Sequence, residues 1–387
     1  MKITHIHIER FRGFQNEDFE VGSLLTAIAG QNGTQKSTLL GIITQTFTLK
    51  TEDSMRVEKP LCGGSYISAF KDKFRLSPTF DKPKGHEWTI SFDAGMDDFT
   101  VESIKRTGDP NVRFWKKGAR QEGDGYISFP TIFLSLKRLV PVAEEAKIIT
   151  DDTLLTQEEL NEFKQLHNKI LIAQTPISSA TTITSKNKQS IGVSTELYDW
   201  NQNSMGQDNL GKIILALFSF KRLHDKYPRQ YKGGILAIDE MDATMYPASQ
   251  VELLKVLRKY ASKLNLQILF TTHSMSLLKA MDDLVQEVTK KEETANQAKI
   301  LYLKKVDDKI AIKQGVNFKG IQLDLNVVAE GNNRKKNRIT AYTEDKENIL
   351  FVKAILKSKA FVLDFVDVTL PCSTLMELVT KRVPAFT

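Results

Sequence analysis

Cysteine is scarce. Cys62 and Cys372 are the two in 387 residues, and no Cys-x-x-Cys or Cys/His cluster accompanies them. That excludes a zinc ribbon and a disulfide-stapled scaffold, and leads us to expect a reduced, cytoplasmic compartment. Long apolar runs are missing too. The longest, around IILALF at 213–218, is far too short to cross a bilayer, so any membrane role is expected to come through a partner. The opening MKITHIHIERF alternates like a strand and has no apolar core of a secretory leader. No low-complexity tract and no repeat of about 20–50 residues is visible, which excludes disordered, collagenous and solenoid chains. Charge of one sign does not dominate: the net value of +7 is a modest excess. It gathers in short runs, RKKNR at 334–338 and Lys304–Lys305, that read as solvated faces able to meet phosphates. What remains, 41% hydrophobic and 26% charged, is the composition of a globular chain long enough for more than one lobe.

The pattern along the chain is α/β. Residues 3–8 alternate as a strand, Arg12-Gly13 makes a turn, 24–29 is a second strand, and a Gly-rich loop leads into a helix from about Lys36. Between Cys62 and Trp115, short β-like runs such as EWTISFDA and FTVESIKR predict an antiparallel sheet beside the nucleotide core. The strand TIFLSL (131–136) ends in KRLVP. Residues of about 144–188 then read as a helical insertion, carried by the amphipathic TQEELNEFKQLHNKIL. Strict alternation follows: a helix from about Asn209, strand GILAID, a helix after Pro247, strand LQILFTT, and a short helix after His273. Past a linker-like GNNRKKN, a second α/β pattern reads ITAYTE as strand, DKENILFVKAILK as helix, FVLDFVDV as strand and STLMELVTK as helix. The expected division is 1–330 and 339–387.

The stretch AGQNGTQKSTLLG (29–41) nearly matches Gly, four residues, Gly-Lys, Ser/Thr: Gly30, Lys36 and Ser37 are in place, and Gln35 stands where the second Gly belongs. A triphosphate needs converging backbone N–H groups, a cation and a metal-binding hydroxyl. Gly30, Asn32, Gly33 and Thr34 form the loop, Lys36 supplies the cation, Ser37 the hydroxyl for Mg²⁺, and Thr38 a further phosphate contact. A left-handed backbone at Gln35 would cost about 1 kcal/mol. Its side chain should then point away from the phosphates or onto an opposing protomer. Magnesium keeps most of its water and wants a carboxylate at the end of an apolar strand. In GILAIDEMDATMYP, Asp239 ends such a strand and fits the metal shell, while Glu240 follows directly and is placed to orient water. The competing reading makes both mere turn residues and His273 a helix-capping histidine.

These parts, in this order, resemble the ABC-type ATPase heads of chromosome-maintenance and recombination proteins. The resemblance implies Lys36 as the Walker A lysine, Asp239 and Glu240 as the Walker B pair, Asp242 as the start of the D-loop, and His273 as the switch histidine on the γ-phosphate. NSMGQDNLGKIILAL (203–217) resembles the signature segment, with Ser204, Gly206 and Gln207 as its phosphate-touching residues. A signature binds the ATP of the opposite subunit, so the resemblance implies a homodimer or higher oligomer, with ATP and Mg²⁺ as cofactors. Met205 replaces a residue that is small in many relatives. Arg12 resembles the basic residue that reaches nucleotide in these heads, beside the alternative of a surface arginine on a hairpin.

SLKRLVP, SMGQDN and DEMDATMYP together resemble the overcoming-lysogenisation-defect (OLD) group, which includes Septu, Gabija and retron-associated ATPases of antiphage defence. The implied architecture is an ABC-type P-loop ATPase head with an antiparallel β lobe and an inserted helical lobe, plus a partial C-terminal TOPRIM-like module. In that module Glu344 takes the place of the metal-binding Glu, with an acidic helix cap as its alternative, and no Asp-x-Asp follows it. Lys137 and Arg138 have no legible role beyond packing. The implied function is a dimerising ATPase that senses or gates a nucleic-acid event, with a nuclease, reverse transcriptase, non-coding DNA or HNH effector as possible associates. A recombination or repair ATPase, and a slow-turnover scaffold holding a toxic partner, are the alternatives.

Overall fold

The computed structural model describes residues 1–66, 73–93, 95–105, 112–119, 125–139, 148–151, 154–185, 189–330, 339–357, 360, 363–369 and 371–380. The basic run 334–338, the linker GNNRKKN and the edges of the insertion at 144–147 and 186–188 lie outside them. The chain divides into two units, Met1–Ile321 and Gln322–Thr387.

In the first unit, β1 (Ile3–Phe11) and β2 (Phe14–Glu20) form a hairpin, and β3 (Leu25–Gly30) runs through the loop at 31–35 into α1 (Lys36–Thr44). A short strand β4 (Phe47–Thr48) precedes the lobe strands β5 (Glu87–Phe92), β6 (Phe99–Lys105) and β7 (Val112–Lys116). Order β2-β1-β5-β6-β7 makes the expected antiparallel sheet, while β8 (Ile127–Ser128) pairs with β4. Alternating burial in β5 and β6 shows why: every second side chain faces the core, and all of these but Ser103 are apolar. There Phe11, Trp88 and Phe114 meet with ring centroids 5.1–5.6 Å apart. They share one core with Ile28, Ile235, Ala237 and Leu269 of the second sheet. The lobe and the nucleotide sheet are therefore one packed body.

That second sheet has order β16-β15-β3-β14-β13-β9. It comprises β9 (Thr131–Leu134), β13 (Gly234–Ile238), β14 (Leu266–Thr272), β15 (Ala298–Val306) and β16 (Lys309–Gln314) beside β3. All are parallel save the edge strand β16. The central strands are buried along their whole length, as parallel strands with both faces covered must be. Register pairs Ala29 with Thr272, Phe270 with Ile238, and Ile238 with Leu134. The residues that follow these strands, Gln31, His273, Asp239 and Ser135, thus emerge at one carboxyl edge, where open α/β sheets bind ligands.

Three expectations change. The insertion is mixed rather than helical: α2 (Gln157–Leu171) forms as expected, but β10 (Ile149–Asp151), β11 (Ser179–Thr184) and β12 (Gln189–Ser194) add an antiparallel sheet. Strands β11 and β12 are short and rich in Ser and Thr, so no apolar alternation marks them. Helix α3 (Met205–Lys226) begins earlier than Asn209, since Ser204 and Gln207 close a capping box: Gln207 N–H donates to Ser204 Oγ at 3.3 Å, and Ser204 N–H to Gln207 Oε1 at 2.8 Å. IILALF is a stretch of this helix that is buried on every side. The hairpin β15–β16 was not anticipated. Helices α4 (Pro247–Lys263), opened by Pro at its first turn, and α5 (Met275–Val288) follow their strands as read, and α6 (Phe318–Glu330) comes after the hairpin.

The second unit is β17 (Ile339–Thr343), α7 (Lys346–Leu356), β18 (Leu363–Thr369) and α8 (Cys372–Thr380), with β17 and β18 parallel. It is the βαβα order that the sequence pattern gives. Among the described residues no helix is long and apolar enough to cross a membrane.

Candidate nucleotide site

Gly30 closes β3 at φ 151°, and a Cβ there would lie 2.5 Å from the Leu303 carbonyl oxygen, so the loop can turn at that point only with glycine. Asn32 and Gly33 are exposed at its crest, and Thr34 Oγ1 donates back to the Gln31 carbonyl at 2.8 Å. Gln35 is left-handed at φ 62°, ψ 32° and starts α1: its carbonyl accepts from Leu39 N–H at 3.0 Å. Its side chain turns from the loop toward the β1–β2 turn, where a Cβ on Gly13 would come within 2.8 Å of Gln35 Nε2. Gln35 Oε1 is buried without a hydrogen-bond partner.

Lys36 is buried and folds into the loop, Nζ donating to the carbonyls of Gly30 at 3.0 Å and Gln31 at 2.9 Å. Desolvation lowers its pKa, opposed by the charges of Glu240, Asp239 and Asp242. Ser37 Oγ donates to Asp239 Oδ1 at 2.9 Å, and Thr271 Oγ1 donates to the same oxygen at 2.7 Å. The loop hydroxyl and the strand-end carboxylate, far apart in sequence, therefore meet directly. Glu240 follows at φ 48°, a left-handed conformation that costs a residue with a Cβ and often marks a functional site. Its N–H donates to Thr271 Oγ1 at 2.6 Å and its carbonyl accepts from Arg138 Nη2 at 2.8 Å. Asp242 Oδ1 accepts from the His273 N–H at 3.4 Å. Burial and then the Lys36 charge push the His273 pKa down, with the three acids opposing.

Arg12, also left-handed at φ 52°, stands behind the loop on the hairpin turn. Nη1 donates to Thr38 Oγ1 at 3.3 Å, and Nε and Nη2 both reach Asp81 at 3.1 Å. Asp81 is buried and also meets His86 Nε2 at 3.0 Å, so Arg12 is not a loose surface arginine. Burial raises the Asp81 carboxyl, but the bonds from Arg12, Ser77 N–H and His86 outweigh it and leave the pKa below the usual carboxylate value.

The segment 203–217, read from sequence as a signature, lies on the same body. Ser204 and Met205 are exposed at the start of α3, whereas Gly206 is buried, and a Cβ on it would lie 2.5 Å from the Thr244 carbonyl oxygen. Glycine at 206 thus lets the helix start pack onto the turn after Asp242. Gln207 Nε2 donates to Tyr198 OH at 2.8 Å. Sequence reasoning missed Thr271, Asp81, His86 and Tyr198. Thr271 had a signal, a hydroxyl at the end of an apolar strand just before His273, but the others are brought in by folding alone. Glu344 belongs to the second unit: the cap of α7 is Asp345, which accepts from Asn348 N–H at 2.7 Å, and among the described residues no three His, Cys, Asp or Glu side chains gather to hold a metal ion.

The donor set fits a nucleotide with magnesium: an open loop of backbone N–H groups, a buried lysine, and a hydroxyl paired with a carboxylate. Residues 135–278 match the model of the AAA ATPase domain family. No curated protein gives a significant match. Solved structures that are similar include an SMC head domain from Thermotoga maritima, 14% identical, over 82% of this chain and 100% of that one at TM-score 0.44. Others are an SmcHead bound to the C-winged helix domain of ScpA, 14% identical over 83% and 100% at 0.48, and a Pyrococcus furiosus Smc head bound to the C-terminal domain of ScpA, 13% identical over 85% and 99% at 0.45. Parallel sheet, antiparallel lobe, loop and strand ends together have the α/β architecture of an ABC-type P-loop ATPase head. The matched segment spans Asp239, Glu240, helix α3 and His273.

Proposed function

We propose that this chain hydrolyses ATP between two copies of itself and uses the cycle to sense or gate a nucleic-acid event in antiphage defence. The observation that carries the ATPase reading is the meeting of Ser37 with Asp239, beside Lys36, Glu240 and His273, at one edge of the sheet. Lys36 would leave the loop carbonyls for the β- and γ-phosphates, and the N–H groups of 32–34 would cradle them. Magnesium, held through Ser37 and through Asp239, would neutralise phosphate charge as the phosphoryl group transfers. Glu240 takes the proton of the attacking water as that oxygen bonds the γ-phosphorus. The bond to the β–γ bridging oxygen breaks, leaving ADP and phosphate. His273, whose pKa is lowered by burial and then by the Lys36 charge, donates an N–H to the γ-phosphate. Arg12 turns toward the nucleotide from Thr38.

Dimerisation is supported by the exposed start of α3, where Ser204 and Met205 face solvent. A helix N-terminus attracts phosphate, and a second copy would present one. The defence role, its nucleic-acid trigger and its partners rest on the sequence resemblance to the OLD group. Glu344 without companion carboxylates gives no support to a nuclease in the described residues. The test is phage plating on cells carrying wild type or Lys36→Ala with the neighbouring genes. Lost protection with Lys36→Ala supports the reading, and undiminished protection overturns it.

A further inference from the structure

Arg138 is 2% exposed, and no carboxylate in the described structure pairs with it. Its guanidinium is spent on four oxygens. Nε donates to Asn209 Oδ1 at 2.7 Å, Nη1 to the carbonyls of Leu134 at 3.3 Å and Ser135 at 3.1 Å, and Nη2 to the Glu240 carbonyl at 2.8 Å. Asn209 completes a ring of contacts: its Nδ2 donates to the Ala243 carbonyl at 2.9 Å. One buried cation therefore ties the end of β9, the signature helix α3 and both sides of the turn 240–243 together. Burying a guanidinium is costly, and burial lowers its pKa to about 10, with Asp239, Glu240 and Asp242 acting to raise it. A packing role would be filled as well by an apolar side chain. What an apolar side chain could not do is hold the Glu240 carbonyl while Thr271 holds its N–H, the two bonds that fix a left-handed Glu240.

We infer that Arg138 is a positioning residue for hydrolysis: through the Glu240 backbone and Asn209, it makes the direction of the Glu240 carboxylate depend on the seating of α3. Movement of α3 would reach Glu240 through two hydrogen bonds, so water is activated only when the signature helix is in place. The inference rests on Glu240 being the base, and deepens that reading. Asn209→Ala severs the link to α3 and leaves the Glu240 bond, whereas Arg138→Lys keeps the charge but cannot reach both oxygens with a planar fork.

The experiment is a cycle of single and double substitutions in the full chain, measuring binding of a fluorescent ATP analogue, kcat and KM. Arg138→Lys and Arg138→Met are expected to bind nucleotide within a few-fold of wild type and to lose turnover by about 100-fold, the scale of a misplaced catalytic group. Asn209→Ala is expected to lower kcat with KM unchanged. In the Glu240→Gln background, neither Arg138 substitution should reduce turnover further. Losses that multiply in the double variants, or parallel loss of nucleotide binding in Arg138→Lys, would assign Arg138 to packing and overturn the inference. If Glu240→Gln alone turned over like wild type, the reading of Glu240 would fall first, separately from the Arg138 result.

Discussion

Gln35 is the residue at which the loop departs from its pattern, and the structure gives that departure a cost and a location. A non-Gly residue at φ 62° gives up about 1 kcal/mol relative to glycine. The Gln35 amide sits against Gly13, away from the exposed crest of the loop. We predict that Gln35→Gly keeps ATP binding and raises the thermal midpoint by a few degrees, as seen in differential scanning fluorimetry with and without nucleotide. Loss of binding would show that Gln35 is itself a ligand. Gly206 is the opposite case, since Gly206→Ala drives a methyl group to 2.5 Å from backbone. The turn after Asp242 must shift, and turnover is predicted to fall at least about tenfold with little change in nucleotide affinity. Unchanged turnover in a steady-state assay would mean that this packing does not matter. Lys36, Ser37, Asp239 and Glu240 could be picked out as candidates from sequence because the chemistry proposed for them calls for a loop or a strand end. Thr271 and Asp81 could not, because a hydroxyl or carboxylate becomes a site residue only when folding places it.

At the scale of elements, the insertion and the β lobe carry charges that titrate with folding. His167, on α2, is buried and stacked on Phe163, and desolvation lowers its pKa to about 4, with Asn168 opposing. A base depressed on folding contributes stability fully above its unfolded pKa of 6.5, lost as pH falls toward 4. The shift corresponds to roughly 3 kcal/mol. We predict that the unfolding free energy falls between pH 6.5 and pH 4 and that His167→Leu flattens that slope in urea titrations; an equal slope in the variant would contradict it. Asp81, depressed by Arg12, Ser77 and His86, contributes above the unfolded carboxyl pKa and loses its contribution only at more acid pH. The elements themselves were largely legible where one period governs. Apolar strands 234–238 and 266–272 and the amphipathic α2 follow from spacing. The β10–β12 sheet did not, since SATTIT and QSIGVS are short and Ser/Thr-rich, and β12 packs against α3 in a way that no local pattern announces. The start of α3 was misplaced because a capping box outweighed the apolar periodicity used to find it.

Over the whole molecule, one parallel sheet brings four strand ends to a common edge, and an antiparallel lobe packed into the same core supplies Arg12. The site is therefore fixed by topology more than by any single loop. The signature helix belongs to the same body but shows its start to solvent, so hydrolysis is proposed to need a second copy. The most direct measurement is analytical ultracentrifugation of wild type and Glu240→Gln with ATP and magnesium, with turnover measured on the same preparations. Slow hydrolysis should trap the closed pair: Glu240→Gln is predicted to sediment as a stable dimer with ATP and to lose about 100-fold or more in turnover. Wild type should return to its nucleotide-free state as ATP is consumed. A variant that stays monomeric at saturating ATP, or one that hydrolyses at the wild-type rate, would contradict an ATP sandwich fired by Glu240.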